Sequence, residues 1–219
     1  LLRLLALHPR FRPAYITSRK HAGAPVDEVI PQLSGFLPGL TFSALEDELP
    51  DSIQAAFLAL PHGVTRTLWA TLPQKYPQLK VVDLSADFRL RDRADFDLYY
   101  GGDHPTFDAT QHFAYGLTET NRNEIVKAKY VANPGCFATG AILALAPLAE
   151  AGLLAGDVVL AQTTGSSGSG AEPRIGTHHP ERAQDHKAYK VLEHQHQPEI
   201  EQELRRCSGV AGGEFDMVM

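Results

Sequence analysis

The chain has 219 residues, of which 43% are hydrophobic, so it is long enough for one large domain or two modest domains with a sizeable core. Acidic residues outnumber basic residues by 26 to 20 with histidine counted as neutral, and the lack of a dense lysine or arginine run argues against a nucleic-acid-binding protein. No apolar stretch approaches the roughly 18 residues of a membrane span, which argues against a membrane protein. Two cysteines are too few for a disulfide framework, and we expect a cytoplasmic protein with reduced thiols.

The first part of the chain alternates strand and helix patterns. The patterns predict helices over 1–7 and 64–76 and strands over 14–18, 54–60, 80–85 and 129–135. Short apolar runs of this kind are typical of buried parallel strands. The alternation therefore predicts an α/β fold, with a Rossmann-like parallel sheet that carries helices on both faces and binds ligands beyond the carboxyl ends of its strands.

The pattern changes after Gly135, and we place a domain boundary there. An apolar helix is predicted over 138–153, and Pro147 is expected to kink it or end it early. A strand over 156–165 and a Gly/Ser-rich loop over 165–176 follow, so residues 136–219 are expected to form an α+β catalytic domain. Because the chain opens inside a helix and closes on a strand, we expect residues 1–135 to lack an initial strand and glycine turn, and the second domain to be incomplete at its C-terminus.

Cys136 is the first candidate for chemistry. Pro134 and Gly135 end a strand and turn the chain, and the residues after Cys136 have helical character. The sulfur is therefore expected at a helix N-terminus, where unpaired N–H groups and the positive end of the dipole favour a thiolate. A small buried hydrophobic side chain is the equally weighted alternative.

Two histidines precede a predicted helix that has Pro198 in its first turn. Either His194 or His196 can serve as general base and acid for Cys136, because imidazole titrates near neutral pH. Metal binding with His178 and His179 is a weaker alternative, since no carboxylate or cysteine stands at a recognised spacing, and we predict no metal. An exposed polar loop is the third alternative.

Further candidates follow the predicted strands. Ser18, Arg19 and Lys20 provide cations and no acid at the point where a dinucleotide fold binds the adenosine ribose, which favours NADP over NAD. Simple solvated charges are the alternative. The other candidates are Ser85, Asp87 and Arg89 after the 80–85 strand, Pro61, His62 and Gly63 after the 54–60 strand, and the backbone of the 165–170 loop. Arg89 can bind a phosphate through two hydrogen bonds or pair with Asp87.

Six segments together resemble one family. They are "ITSRK", "ALPHG", "VVDLSADFRL", "YVANPGCFATGAILALAPL", "TTGSSGSGAEP" and "HQHQPEI". In this order they resemble the N-acetyl-gamma-glutamyl-phosphate reductase family of the aspartate-semialdehyde dehydrogenase superfamily. The resemblance covers nearly the whole chain, although the family's glycine-rich turn would lie upstream of Leu1 and its final strands and helix beyond the last residue.

The resemblance implies a reductive dephosphorylation of an acyl phosphate with NADPH. Cys136 would form a thioester, and His196 or, as second choice, His194 would move the proton, with Glu199 orienting the histidine. The cofactor would contact Ser18, Arg19, Lys20, Pro61, His62, Gly63, Ser167 and Gly168. The substrate would contact Ser85, Asp87, Arg89 and Asn133. Family members are usually dimers or tetramers, so a homo-oligomer is expected.

Two alternatives remain open at this stage. The same chemistry can act on an aminoadipyl phosphate of lysine biosynthesis, because one methylene is worth only about 1–3 kcal/mol of discrimination. A non-catalytic truncated paralogue that only binds small molecules or partners is the other.

Overall fold

The computed structural model describes residues 1–170, 172–209 and 214–219. The chain divides into two compact units, Leu1–Ala56 and Phe57–Met219. The domain boundary that the sequence suggests after Gly135 lies inside the second unit and stays a prediction. The unit is continuous there because Tyr115 and Leu117, which precede Gly135, share one hydrophobic core with Ile142 and Leu204, which follow it.

The first unit contains a small parallel sheet. Its helices are α1 (Leu2–Ala6) and α2 (Val26–Val29), with a 3-10 turn at Pro31–Leu33, and its strands are β1 (Ile16–Thr17) and β2 (Phe42–Ser43). The strands pair in parallel, with Ile16 opposite Phe42. The predicted first helix and the predicted strand over 14–18 both form, although the strand is only two residues long.

A four-stranded sheet supports the second unit. Its strands are β3 (Ala55–Leu58), within which the division falls, β4 (Lys80–Asp83), β5 (Phe113–Tyr115) and β6 (Tyr130–Ala132). The order is β3-β4-β6-β5, and β6 pairs in parallel with both β4 and β5. The predicted α/β fold with a parallel sheet is therefore confirmed. The sequence analysis missed β5, which has only three residues.

Seven helices and one more strand pair are described in this unit. The helices are α3 (Val64–Leu68), α4 (Leu72–Lys75), α5 (Arg93–Tyr100), α6 (Thr118–Ile125), α7 (Cys136–Glu150), α8 (His179–Arg182) and α9 (Gln197–Ser208). Strands β7 (Gly156–Val159) and β8 (Phe215–Val218) pair in parallel. Short 3-10 turns occur at Phe107–His112, Ser166–Ser169 and Ile175–Thr177.

Two helices differ from the prediction. The helix expected over 64–76 is split into α3 and α4, because Pro73 lies in the first turn of α4, where a proline suits a helix start. Helix α7 continues past Pro147 to Glu150. Pro147 lies on the exposed face of the helix, so water can satisfy the carbonyl that loses its N–H partner.

The core that carries the site lies between α7 and α9. Its buried side chains come from β5, α7, α9 and β8 and include Ala138, Ile142, Ile200, Leu204 and Phe215. This packing brings the N-terminal ends of α7 and α9 together. Among the helices of the described residues, none has the length and the apolar run that a membrane crossing requires.

Candidate active site

Cys136 is the first residue of α7 and is exposed. Strand β6 ends at Ala132, the backbone turns over 133–135, and Gly135 precedes the helix in an extended conformation. Among the residues that the structure describes, no side chain caps this helix, so the N–H groups of its first turn face the region of the sulfur. The structure thus shows an accessible thiol at a helix N-terminus.

His196 lies directly against Gly135. Its imidazole atoms are 2.4 to 2.8 Å from the position that a β-carbon on Gly135 would occupy. Any larger residue at 135 would displace the ring, so the local chemistry requires glycine there. His196 precedes α9 as its N-cap, and Pro198 lies in the first turn as the sequence predicted. The imidazole therefore stands beside the residue that precedes the exposed thiol.

His196 is neutral at neutral pH. Burial lowers its pKa to about 3, helped by the positive charge of Arg89 and by the neighbouring His194. Only 8% of the residue is exposed, and its buried Nδ1 finds no hydrogen-bond partner in the part of the chain that the structure describes. The unpaired nitrogen of a neutral imidazole can accept a hydrogen bond, and the burial that keeps the ring neutral also makes it a weak base until a negative charge develops beside it.

His194 is held by two hydrogen bonds. Its Nδ1 accepts the backbone N–H of His196 at 3.2 Å, and its Nε2 lies 3.3 Å from the hydroxyl oxygen of Tyr189. Because Nδ1 accepts, the proton of the neutral ring belongs on Nε2 and is directed at Tyr189. Burial lowers the pKa of His194 as well.

Tyr189 is a site residue that the sequence analysis missed. Partial burial and, second, the charge of Cys136 raise the pKa of its hydroxyl, which places this side chain in the electrostatic neighbourhood of the thiol. Its ring also packs against Phe137, the residue that follows Cys136, with centroids 6.2 Å apart. A single tyrosine in a polar segment gives no periodic pattern, so nothing in the sequence marked it.

Glu199 is fully buried on the first turn of α9. Its carboxylate accepts hydrogen bonds from the backbone N–H of Gly135 and the hydroxyl of Tyr115, and it forms an ion pair with Arg89. Among its contacts within the described ranges there is no hydrogen bond to a histidine, which is the contact that the expected orienting role would use. Tyr115 comes from the unpredicted strand β5, so the sequence analysis did not identify it.

Arg89 binds the chain's own groups. Its Nε donates to the carbonyl of Asn133 at 2.7 Å, one terminal nitrogen donates to the carbonyl of Leu84 at 3.0 Å, and the other lies 3.5 Å from Glu199. Only 5% of the residue is exposed. The sequence offered a phosphate or Asp87 as its partner, whereas the structure pairs it with Glu199. Asn133 joins the same network through its backbone carbonyl.

Ser85 and Asp87 are buried in internal hydrogen bonds. The Ser85 hydroxyl donates to Asp83 at 2.7 Å and accepts the Asp87 N–H at 3.1 Å. The Asp87 carboxylate accepts N–H groups of Gly63 and Arg66 at 2.9 Å, which caps the start of α3. These two side chains shape the loop after β4, and their predicted contact with substrate stays a prediction.

The loop after β3 is connected to the same network. The imidazole Nδ1 of His62 accepts the N–H of Ala86 at 2.9 Å, and Pro61 and His62 are exposed. Gly63 has a φ of +86°, a left-handed conformation that favours glycine at this turn. His62 therefore keeps its Nε2 proton available on the surface of the second unit.

The Gly/Ser-rich loop is not connected to the thiol by any contact in the described part of the chain. Ser167 and Gly168 lie in an exposed 3-10 turn, where the Gly168 N–H donates to the Gly165 carbonyl at 3.4 Å. Their predicted contact with a cofactor stays a prediction.

The expected ribose-binding residues belong to the first unit. Ser18, Arg19 and Lys20 directly follow β1, and the Ser18 hydroxyl accepts the N–H of His21 at 3.2 Å. Arg19 and Lys20 are exposed, and neither forms an ion pair within the residues that the structure describes. A hydroxyl and two free cations form a donor set that fits the 2′-phosphate of NADP.

Models of one family match both parts of the chain. Residues 1–128 match the semialdehyde dehydrogenase NAD binding domain, and residues 136–216 match the semialdehyde dehydrogenase dimerisation domain. The two matches follow each other in chain order and together leave few residues uncovered.

Relatives with two kinds of name match nearly the whole chain. The (LysW)-L-2-aminoadipate/(LysW)-L-glutamate phosphate reductase of Sulfurisphaera tokodaii is 42% identical over 93% of this chain and 58% of its own length. The N-acetyl-gamma-glutamyl-phosphate reductases of Pseudomonas savastanoi and Methanopyrus kandleri are 42% and 43% identical over 95% and 96% of this chain and 60% and 61% of theirs. The chain thus spans about 60% of the length of the curated relatives that it matches. The structure places the exposed Cys136 and the buried imidazole of His196 on either side of Gly135. The matches to both family models show that the chain belongs to the semialdehyde dehydrogenase family.

Proposed function

We propose that the full-length protein is an oxidoreductase that reduces N-acetyl-glutamyl 5-phosphate to N-acetyl-glutamate 5-semialdehyde with NADPH in arginine biosynthesis. The observation that carries this proposal is the placement of the neutral His196 imidazole against Gly135, next to the exposed Cys136. A thiol and a proton acceptor beside each other are what nucleophilic attack on an acyl phosphate requires.

Cys136 performs the first step. Its sulfur attacks the acyl carbon, the new S–C bond forms, and the C–O bond to phosphate breaks with its electron pair leaving on inorganic phosphate. We assign the thiol proton to His196, with His194 as the second candidate; because burial keeps the resting ring neutral, the negative charge that develops on the sulfur would have to stabilise the imidazolium. The N–H groups of the first turn of α7 favour the negative charge on the sulfur.

Ser18, Arg19 and Lys20 would hold the adenosine 2′-phosphate of NADPH, as their charge supports. Pro61, His62 and Gly63 would line the nicotinamide site, and Ser167 and Gly168 would contribute backbone N–H groups. The bound cofactor supplies the hydride that reduces the thioester to the semialdehyde. On the protein side, the thioester makes the acyl group reactive enough to accept it.

A second candidate function uses the same chemistry on a (LysW)-L-2-aminoadipyl phosphate. It is favoured by the relatives named as (LysW)-L-2-aminoadipate/(LysW)-L-glutamate phosphate reductases, whose identity to this chain equals that of the N-acetyl-gamma-glutamyl-phosphate reductases. The two substrates differ in chain length and in the group on the amino nitrogen, so a direct comparison of both compounds distinguishes the two functions.

The reverse reaction tests the proposal. The full-length protein is given NADP and inorganic phosphate with N-acetyl-glutamate 5-semialdehyde, or with the semialdehyde that corresponds to (LysW)-L-2-aminoadipate. We expect phosphate-dependent NADPH formation with kcat/KM about 10- to 200-fold higher for the N-acetyl-glutamate compound. A preference for the (LysW)-linked compound would favour the second function. Failure of phosphate-dependent oxidation with both compounds would reject a reductase.

The proposed enzyme acts in the cytoplasm as a dimer or tetramer on small acyl phosphates. The match of residues 136–216 to a dimerisation domain supports the oligomer. Light scattering of the full-length protein measures its mass, and a monomer at assay concentration would contradict this part of the proposal.

A further inference from the structure

We propose that Glu199, Arg89 and Tyr115 form a buried clamp on the 133–135 turn, which positions Cys136 through the backbone groups of Asn133 and Gly135. We call these three side chains the turn clamp. The inference rests on the proposed function, since positioning matters only if Cys136 reacts. It reassigns Glu199 and Arg89, for which the sequence suggested contacts with a histidine and with a phosphate.

One oxygen of Glu199 holds the end of the turn. Oε1 accepts the backbone N–H of Gly135 at 2.8 Å and the hydroxyl of Tyr115 at 2.7 Å. Glu199 is 0% exposed, so neither hydrogen bond is in competition with water. Gly135 is bonded directly to Cys136, and fixing its peptide plane therefore fixes the direction in which the chain enters α7.

Arg89 holds the start of the same turn. Its Nε donates to the Asn133 carbonyl at 2.7 Å, and its Nη1 lies 3.5 Å from Oε2 of Glu199. The guanidinium thus links the carboxylate at one end of the turn to the carbonyl at the other. A second donation, to the Leu84 carbonyl at 3.0 Å, anchors Arg89 to the loop after β4.

The position of the Arg89–Glu199 ion pair indicates a role in positioning Cys136 as well as in stability. A buried ion pair is often no better for stability than well-packed apolar residues, so its cost needs another explanation. Gly135 is the residue that touches both reacting groups, because it precedes Cys136 and packs against the His196 ring. A shift of about 1 Å at a reacting group can cost about 100-fold in rate, and the turn clamp restrains the residue where such a shift would start.

Glu199→Gln breaks the turn clamp at its centre. A glutamine amide has one oxygen and one NH₂ group. In one orientation its NH₂ faces the Arg89 guanidinium, and in the other it faces the donors of Gly135 and Tyr115. Either orientation sets donor against donor in a buried site, so the turn must move.

Glu203→Gln is the matched control. Glu203 lies one turn further along α9, is 3% exposed, and accepts from Arg206 at 2.9 Å and from Asn121 at 3.4 Å. The control therefore removes a buried carboxylate charge from the same helix at a distance from the turn. Tyr115→Phe is a milder variant that removes one donor to Glu199 with little change in volume.

The experiment measures alkylation of Cys136 by iodoacetamide in the full-length protein, followed by mass spectrometry of the peptide, together with kcat and KM. We expect Glu199→Gln to slow alkylation and to lower kcat about 100-fold with KM unchanged, and Tyr115→Phe to act in the same direction. Glu203→Gln should match the wild type in both readouts.

The inference is overturned if Cys136 in the Glu199→Gln protein is alkylated at the rate of the Glu203→Gln protein, whatever happens to kcat. If Glu199→Gln does not fold, the same comparison with Tyr115→Phe decides. A shift of the pH profile of kcat with unchanged alkylation would assign Glu199 to a histidine instead. Alkylation needs no turnover, so the two proposals can fail separately. If the wild type reduces neither acyl phosphate, the proposed function is rejected. The comparison of alkylation rates still tests the turn clamp in that case.

Discussion

Gly135 has two neighbours that any side chain would disturb. Its N–H is held by Glu199, and the position of its missing β-carbon is filled by the imidazole of His196. Two residues at the start of α9 therefore determine the position of Gly135, which directly precedes α7. From the sequence, a glycine before a cysteine is easily interpreted as a residue that the turn needs for its backbone conformation. The φ of Gly135 is −67°, however, and every residue can adopt that angle. Glycine is therefore required at 135 by the steric contact with His196 and not by the backbone conformation.

Gly135→Ala should displace His196 and leave the thiol accessible. The new methyl group would lie 2.4 Å from Nε2, well inside van der Waals contact, so the ring must move. We expect kcat to fall about 100-fold, because proton transfer depends on position. Steady-state kinetics of the full-length protein give the value. Gly176→Ala is the control, since a β-carbon there meets nothing within 4 Å, and equal activity of the two variants would contradict the contact.

His196 should also weaken the fold in acid. Its pKa is about 3 in the folded protein against 6.5 normally, so between these values the unfolded chain binds a proton that the folded protein does not. Stability is unaffected by this group above pH 6.5 and falls as the pH drops below that value, by up to about 1.4 kcal/mol per pH unit.

Urea unfolding of wild type and His196→Gln at about pH 7.5 and about pH 4.5 measures this effect. The loss of unfolding free energy between the two conditions should be smaller in the variant. A residual loss is expected, because burial also lowers the pKa of His194 and His104. An identical loss in both proteins would show that His196 is not held neutral.

At the scale of elements, the site depends on where strands end and helices begin. Asp87, in the loop after β4, caps α3 through the N–H groups of Gly63 and Arg66. This contact joins two connections at the same edge of the sheet. These hydrogen bonds explain why Asp87, a charged residue that follows a buried strand, is itself buried.

Asp87→Ala should destabilise the protein by about 1–3 kcal/mol, because it leaves the N–H groups of Gly63 and Arg66 at the start of α3 without their acceptor. Asp92→Ala is the comparison, since Asp92 caps α5 with an exposed side chain and should cost about 1 kcal/mol or less. Urea unfolding of both variants measures the difference. An equal or smaller cost for Asp87→Ala would mean that its carboxylate is free for another role.

The sequence predicted the elements better than the contacts between them. Apolar runs located β3, β4 and β6, and Pro134-Gly135 followed by helical residues located the start of α7 at Cys136. Strand β5 has three residues, too few for an alternating pattern to be distinguished from chance. Because the sequence analysis did not predict β5, it also did not identify Tyr115 as a residue near the site.

The partners of charged residues could not be predicted from the sequence. Arg89 and Glu199 are 110 positions apart, and only the packing of α9 against α7 brings them together. The resemblance to the reductase family implied that Glu199 orients a histidine. In the structure, the Glu199 carboxylate accepts hydrogen bonds from Gly135 and Tyr115, and no local spacing in the sequence indicates these contacts.

At the scale of the whole molecule, the two units carry different parts of the proposed reaction. In that proposal, Arg19 and Lys20 of the first unit would provide cations for the cofactor phosphate, whereas the second unit holds the thiol, the imidazoles and the turn clamp. The two family models assign the same order of parts, a NAD binding domain followed by a dimerisation domain. The proposed chemistry depends on one covalent bond between the acyl group and Cys136.

Trapping that bond is the most direct test. The full-length protein is mixed with the acyl phosphate in the absence of NADPH, quenched in acid and analysed by mass spectrometry. Cys207 is the internal control, because burial raises the pKa of its thiol. The account predicts an acyl adduct on Cys136 and none on Cys207, and NADPH should remove the adduct with consumption of an equal amount of cofactor. Sustained NADPH-dependent reduction by a Cys136→Ser protein, or by wild type without any adduct on Cys136, would contradict it.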